Sequence, residues 1–241
     1  MIVLSDALAR SYDRFAPTLV PVYDEMQSFL LEQLKADLLE PRMVVDLGAG
    51  SGRLLEKVCA SLAPVHVIWV DHSAPMRALA EKRLAPYKAH VVFFQADLRE
   101  PWEKLIPGPP SHLLSMLAVY HLEDEEKQRF YRRCFDYLEP GGALWNADEV
   151  SAADPAQYRR SLEEWDLKVS AMIHHGSLDE VISEYWMGWR ERNLHNSLPK
   201  LSGDDCHTTG ASHLAMMANA GFKDPVELWT KDLWSIFVAR K

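Results

Sequence analysis

A glycine-rich segment spanning residues 44–54 is the clearest chemical signal in the 241-residue sequence. It reads Val44-Val45-Asp46-Leu47-Gly48-Ala49-Gly50-Ser51-Gly52-Arg53-Leu54, a buried-strand pattern followed by a glycine loop and the start of a helix. Glycines in such a loop let a ligand approach the backbone closely, as in nucleotide-binding α/β folds. The segment lacks the Lys-Ser/Thr pair of a phosphate-binding P-loop, so that kind of site is excluded.

The loop also departs from the dinucleotide-binding fingerprint. That fingerprint needs a small residue three positions after its second glycine, and Arg53 stands there when the count starts from Gly50. Asp46 lies at the strand end just before the loop, where a carboxylate suits a cationic ligand group better than a pyrophosphate. The sequence therefore disfavours NAD and FAD.

Two further acids follow the next two predicted strands. Asp71 closes the second strand, where a carboxylate can accept hydrogen bonds from both hydroxyls of a ribose. Asp97 follows the third strand. Each acid taken alone could be a helix N-cap or a solvated loop carboxylate. Three acids at three successive strand ends together indicate a nucleoside site.

The elements that position these acids alternate between strands and helices, which predicts an α/β fold with right-handed crossovers and a mostly parallel sheet. After a helix at about 208–220, which ends at Gly221, two apolar stretches predict an antiparallel hairpin at the sheet edge. The predicted strands are 43–47, 66–70, 90–95, 113–117 and 143–147, the helices between them are 53–62, 73–84 and 123–138, and the hairpin strands are 225–229 and 234–239.

The length predicts one domain spanning residues 1–241. Residues 1–40 read as a helical arm, and residues from about 154 to 200 read as a helical lid inserted after the fifth strand, over the carboxyl edge of the sheet. The three cysteines give no disulfide framework. The N-terminus has no signal-peptide pattern, and no uncharged run approaches the roughly 20 residues that span a bilayer. We expect a cytoplasmic protein without membrane association.

The glycine segment closely resembles motif I of the class I S-adenosylmethionine-dependent methyltransferases. The resemblance covers residues 43–147 and, in element order, the terminal hairpin. It implies a Rossmann-like seven-stranded sheet of order 3-2-1-4-5-7-6, with strand 7 antiparallel and helices on both faces. It also implies the cofactor S-adenosyl-L-methionine, converted to S-adenosyl-L-homocysteine, across the carboxyl ends of strands one and two.

The resemblance further implies a set of cofactor-binding residues. In the family, the acid after strand three faces the adenine amino group and an apolar neighbour covers the ring, which places Asp97 and Leu98. The full set expected here is Tyr23, Asp46, Gly48, Ala49, Gly50, Gly52, Asp71, His72, Met76, Asp97, Leu98 and Met116.

The arm adds a closer resemblance. Ser11-Tyr12-Asp13 and Val20-Pro21-Val22-Tyr23-Asp24 look like the arm of a subgroup that includes the tRNA wobble-uridine carboxymethyltransferases, in which a tyrosine matching Tyr23 reaches the cofactor. The alternative for Tyr23 is a packing role. The carboxymethylating enzymes hold the extra carboxylate with an arginine before the last helix, but residues 198–209 contain Lys200 and no arginine. Ordinary methyl transfer is therefore favoured.

The acceptor side is predicted from the segment after strand four. His121 is the first candidate for a base or orienting group because its unperturbed pKa lies near neutrality, and Tyr120 shares the position. A cap of the following helix is the alternative for His121. Tyr12, Asp148, Trp186 and Trp189 are expected to line an acceptor pocket, with solvated charge or lid packing as alternatives. His174, His175, His195, His207 and His213 complete no standard ligand spacing, so no metal is predicted.

These observations predict an S-adenosylmethionine-dependent methyltransferase that moves a methyl group in line to a small-molecule acceptor. The formal net charge of −9 opposes nucleic acid as a partner. A tRNA-modifying enzyme remains an alternative through a local basic patch, and a non-catalytic cofactor-binding protein is another. Either a monomer or a homodimer is expected. The candidate patch comprises Arg129, Arg132, Arg133, Arg159 and Arg160.

Overall fold

The computed structural model describes residues 5–37, 43–62, 66–201 and 203–241. Within them, seven strands form one sheet. The strands are β1 (Met43–Leu47), β2 (His66–Asp71), β3 (Val91–Gln95), β4 (His112–Met116), β5 (Ala143–Glu149), β6 (Lys223–Lys231) and β7 (Trp234–Arg240). The helices are α1 (Asp6–Leu19), α2 (Tyr23–Asp37), α3 (Arg53–Ser61), α4 (Ala74–Arg83), α5 (Asp124–Tyr137), α6 (Pro155–His174), α7 (Glu180–Asn193) and α8 (Gly210–Ala220).

The strand order is β3-β2-β1-β4-β5-β7-β6, as the family resemblance implies. Strands β1 to β5 are parallel, and β7 runs antiparallel to both β5 and β6. The central strand β1 is covered on both faces, with Val44, Val45 and Leu47 fully buried. Such a strand reads as a continuous apolar run because neither face meets water. The carboxyl ends of β1 to β5 consequently meet at one edge of the sheet.

Local signals fix several helix ends where the sequence predicts them. Ser73 caps α4 by accepting a hydrogen bond from the Met76 amide, and Gly221 ends α8 in a left-handed conformation with φ of 110°. The predicted boundaries shift by at most two residues, and β5 extends to Glu149. None of the described helices is both long and apolar enough to cross a bilayer.

Helix α1 of the predicted arm is fastened over the glycine loop by Asp13. The Asp13 carboxylate accepts hydrogen bonds from the Ser51 hydroxyl and, at 3.0 Å each, from the side chains of Arg53 and Arg83. The Ser11 hydroxyl donates to Asp179, just before α7. Helix α1 therefore bridges the loop after β1 and the helical insertion. Residues 1–4 and 38–40 of the predicted arm lie outside the described residues.

Helices α6 and α7 of the insertion pack through a tryptophan cluster. The ring centroids of Trp186 and Trp189 lie 4.4 Å apart in a stacked arrangement, and Trp165 contacts both rings and Trp234. Trp186 and Trp189 are 3% and 4% exposed. Their indole N–H groups donate to Asp166 and Asp205. These contacts fasten the insertion to the sheet.

We expect Trp186→Ala to lower the free energy of unfolding by about 3–5 kcal/mol, because the change removes a stacked ring from a closed cluster and leaves a cavity. Urea denaturation measures this value. Met187→Ala is the matched control, since Met187 is 56% exposed on the same helix and its loss should change stability by less than about 0.5 kcal/mol. Equal stabilities of the two variants would contradict the packing role.

Candidate active site

The glycine loop makes a tight turn from β1 into α3. The amides of Gly48 and Ala49 both donate to the Val70 carbonyl at the end of β2, at 2.8 and 3.0 Å. Gly48, Gly50 and Gly52 all have positive φ, between 51° and 78°, a region that other L-residues rarely adopt. The three glycines therefore set the path of the loop.

The three glycines have different surroundings. A Cβ atom on Gly48 would lie 2.4 Å from Ala118 Cβ, and one on Gly52 would lie 3.1 Å from Leu84 at the end of α4. A Cβ on Gly50 would meet nothing within 4 Å, because Gly50 faces an open cleft. The loop thus packs tightly on two sides and leaves its middle glycine open to a ligand.

Asp71 ties the loop to the end of β2. Its carboxylate accepts hydrogen bonds from the Gly50 amide at 2.9 Å and from the Ser73 amide at 2.8 Å. Burial raises the pKa of Asp71, while these amides and His72 act in the opposite direction. Its oxygens keep free lone pairs, since each accepts one of these bonds and a carboxylate can accept about four in all.

Asp46 stands at the end of β1 and is 2% exposed. Its Oδ1 atom is buried and has no hydrogen-bond partner in the described structure. Burial, together with the nearby charge of Asp71, raises the pKa of Asp46 to about 8. A buried carboxyl oxygen without a partner is costly, so this position would gain from a cationic or hydrogen-bond-donating ligand group.

Asp97 follows β3 and is held by its neighbour Arg99. The guanidinium donates from Nη2 to Asp97 Oδ2 at 2.8 Å and from Nε to Oδ1 at 3.1 Å. Burial favours the neutral acid, but the bonds from Arg99 outweigh it and keep the pKa of Asp97 below its usual value. Asp97 is therefore an ionised acceptor at the cleft.

A cleft of about 1030 Å³, its open mouth included, runs along these strand ends. It meets a second hollow of about 540 Å³ beneath α1 and α2, and the two share Tyr12, Gly48, Gly50, Met76 and Leu117. The predicted residues on the cleft are Tyr12, Gly48, Gly50, Asp71, His72, Met76, Asp97, Leu98, Tyr120 and His121, and those on the hollow are Tyr12, Tyr23, Asp46, Gly48, Ala49, Gly50, Met76 and Met116. Gly52 lies behind the loop instead.

The far end of the cleft has an aromatic wall. Tyr120 and His121 lie in a short helical turn after β4, with ring centroids 3.9 Å apart. Tyr12 of α1 and Tyr185 of α7 line the same cleft. Burial lowers the pKa of His121, opposed by the nearby charge of Asp205, so the imidazole is neutral at pH 7. Burial raises the pKa of Tyr12, Tyr120 and Tyr185, which keeps all three hydroxyls protonated.

Three residues predicted for the acceptor pocket do not line the cleft or the hollow. Trp186 and Trp189 face the tryptophan cluster, because the buried face of α7 carries Ile182, Trp186 and Trp189. Asp148 is fully buried on the side of the sheet that holds α5 and α8. Its Oδ2 atom lies 3.5 Å from the Nδ2 atom of Asn146. Side chains alternate along β5, so Glu149 takes the opposite face.

The structure adds cleft residues that the sequence reasoning missed. Tyr185 precedes Trp186 by one position, and the turn of about 100° per residue brings it to the cleft while the tryptophans face inward. Leu117 follows β4 with φ of 53°, a strained conformation for a leucine, and lines both cavities. A helical-wheel comparison of α7 could have found Tyr185, whereas no sequence signal marks Leu117.

Comparisons with known proteins show which family and which proteins the chain resembles. The family described as "Methyltransferase domain" matches residues 44–142. An uncharacterized methyltransferase of Geobacillus kaustophilus is 27% identical over 191 residues, which cover 76% of this chain and 80% of the relative. A carboxy-S-adenosyl-L-methionine synthase of Nautilia profundicola is 19% identical over 237 residues, covering 98% and 93% of the two chains.

The fold also matches solved structures. An O-methyltransferase family protein from Burkholderia thailandensis superposes with a TM-score of 0.64 at 14% identity over 98% of this chain. This chain spans 59% of the length of that protein. The glycine loop, the strand order and these matches together support a class I S-adenosylmethionine-dependent methyltransferase, and the methyltransferase-domain match itself covers residues 44–142.

Proposed function

We propose that the protein transfers a methyl group from S-adenosylmethionine to a small-molecule acceptor held against Tyr12, Tyr120, His121 and Tyr185. The observation that carries this proposal is the continuity of the cleft. It runs from the acids after β2 and β3 to the aromatic wall after β4. A cofactor seated at the acids would therefore face the wall with its reactive end.

The residues of the cleft suit this cofactor group by group. Asp71 has lone pairs for the ribose hydroxyls, and Asp97 is an ionised acceptor for the adenine amino group. The unpartnered Oδ1 of Asp46 suits an ammonium group, and the hydroxyl of Tyr23 lines the same hollow. The open side of Gly50 leaves room for the ligand beside the loop. When bound, S-adenosylmethionine supplies an electrophilic methyl group on a positively charged sulfur.

The aromatic wall has two tasks in this proposal. Tyr12, Tyr120 and Tyr185 present rings and protonated hydroxyls that can orient a flat or cationic acceptor and exclude water. His121 is neutral at pH 7 and can accept a proton from an acceptor hydroxyl. The wall comes from the turn after β4 and from α1 and α7, so acceptor choice would depend in part on two helices outside residues 44–142.

A tRNA acceptor is the second candidate, favoured by the resemblance of the arm and by the relative that makes a carboxylated cofactor. The contacts of four of the five arginines in the candidate patch oppose it. Arg129, Arg132 and Arg159 each pair with an acid one helical turn away, and Arg133 donates to backbone carbonyls of residues 98–100. Lys200 is bonded to the Asp205 carbonyl at 2.6 Å. Such pairing leaves little positive charge for phosphates.

The acceptor class is tested by incubating the protein with methyl-labelled S-adenosylmethionine and a panel of phenols, thiols, amines, carboxylic acids and total tRNA. We expect label in at least one class of small molecule. Label in tRNA alone would contradict the proposal, and salt-dependent tRNA binding would support the second candidate. Failure to label any acceptor of the panel would also count against it.

We expect Asp71→Ala to weaken binding of S-adenosylhomocysteine by about 1.5–3 kcal/mol, because the change removes a buried carboxyl acceptor from two hydroxyl donors. Calorimetric titration measures the affinity. Glu81→Ala is the matched control, since it removes an exposed carboxylate of α4 that pairs with Arg77 and should leave affinity unchanged. An Asp71→Ala variant that stays folded and binds as tightly as the native protein would refute the ribose assignment.

We expect kcat/KM for a hydroxyl acceptor to fall as pH drops through the pKa of His121. That pKa lies below the usual 6.5, so activity should stay level from pH 7 upward and decline only on the acid side. His121→Gln should remove this acid limb and lower kcat/KM by about 10²–10⁴-fold, because proton transfer is lost. The variant should still bind S-adenosylhomocysteine. An acid limb that persists in His121→Gln would assign the titration to another group.

A further inference from the structure

A compact cluster of metal-ligating side chains lies behind the aromatic wall, outside the cleft. It consists of Glu149 at the end of β5 and of Asp205 and His207 in the segment before α8. One ligand atom from each residue lies within 4.8 Å of the others. His207 Nε2 is 2.9 Å from Glu149 Oε2 and 3.8 Å from Asp205 Oδ2. The three side chains are at most 7% exposed.

We infer that Glu149, Asp205 and His207 form a binding site for one divalent transition-metal ion. The charges of the cluster support this. Two carboxyl groups share a buried volume with one imidazole, and burial together with the nearby charge of Asp205 raises the pKa of Glu149, so two ionised carboxylates there are costly without a cation. A divalent cation with neutral His207 would balance both carboxylates. Buried charge is costly unless it is paired or bound to a metal.

Neighbouring residues form hydrogen bonds to two of the three proposed ligands. Metal-bound histidines usually bond their other ring nitrogen to a second group, and His207 Nδ1 is hydrogen-bonded to the Tyr158 hydroxyl. Bound carboxylates are usually bonded too, and Asp205 accepts from the Trp189 indole. His207 and Asp205 would therefore be oriented before an ion arrives.

A polar atom beside the cluster lacks a partner. Among the described residues, the Nδ1 atom of His121 has no hydrogen-bond partner and lies 3.9 Å from Asp205 Oδ1, while the rest of the imidazole is partly exposed. A gap of this length is too wide for a hydrogen bond. An ion with its coordinated water would offer a partner to this atom.

The chemistry of the donors selects the class of metal. Imidazole favours zinc and neighbouring transition metals, whereas carboxylates also accept manganese. Magnesium and calcium favour all-oxygen sets. We therefore expect Zn²⁺ or Mn²⁺ to bind. Sequence spacing could not predict the site, because Glu149 and His207 are 58 positions apart and local ligand motifs are much shorter.

The ion would fasten the segment before α8 to the end of β5. That segment also supports the wall directly, since the Cys206 amide donates to the Tyr120 carbonyl at 2.8 Å. His207 contacts the Tyr120 ring with centroids 5.5 Å apart. A metal here would act on the shape of the acceptor end and would leave the cofactor residues of β1 to β3 untouched.

Titration of chelator-treated protein with ZnCl₂ or MnCl₂, by calorimetry and by thermal denaturation, tests the site. We expect one saturable equivalent of Zn²⁺ or Mn²⁺ and a higher Tm, whereas MgCl₂ and CaCl₂ should have little effect. His207→Gln and Glu149→Gln should each weaken binding by about tenfold or more. The control His174→Gln/His175→Gln removes the adjacent histidines at the end of α6 and should bind as the native protein does.

Two results would overturn the site. One is the absence of a saturable equivalent in the native protein, which would leave the cluster as an ion pair. The other is unchanged affinity in the folded triple variant Glu149→Gln/Asp205→Asn/His207→Gln, which would place the ion elsewhere. S-adenosylhomocysteine titrated into the same metal-free samples separates this inference from the proposed function, because cofactor binding should not need the metal.

Discussion

The hydrogen bond from the Gly50 amide to the Asp71 carboxylate joins the carboxyl ends of β1 and β2, and the site depends on it. The bond holds the middle of the glycine loop beside the second strand, so the loop cannot cover the cleft. The path of the loop has positive φ at Gly48, Gly50 and Gly52. The next residue along the loop, Ser51, then meets Asp13 of α1. The loop thus positions the cofactor-binding residues at the ends of β1 to β3, which form the floor of the site. It also positions the arm above them.

Much of the fold and of the floor of the site could be predicted from the sequence because those signals are local. Apolar strand runs, the glycine spacing and acids at strand ends each involve a few neighbouring residues. The resemblance to a known family added the strand order. Asp46, Asp71 and Asp97 consequently lie at the predicted strand ends. Every predicted cofactor-binding residue except Gly52 lines one or both of the two cavities.

The acceptor end was less predictable because it depends on which face of an element meets the cleft. Tyr185 and Trp186 are adjacent on α7, and Asp148 and Glu149 are adjacent on β5. In both pairs the neighbour of the predicted residue takes the other face. In the cluster, Glu149 lies 56 positions before Asp205 and 58 before His207 in the sequence. Such a tertiary contact leaves no local pattern.

The site has two parts that differ in how far the family match covers them. Most cofactor-binding residues lie within the matched residues 44–142, whereas the aromatic wall also draws on α1 and α7 outside that range. The most direct test is a crystal structure of the protein with S-adenosylhomocysteine. We predict the ribose hydroxyls on Asp71, the adenine beside Asp97 and Leu98, and the sulfur facing Tyr12, Tyr120 and His121. A nucleoside bound elsewhere, or a sulfur turned away from these three side chains, would contradict the proposed site.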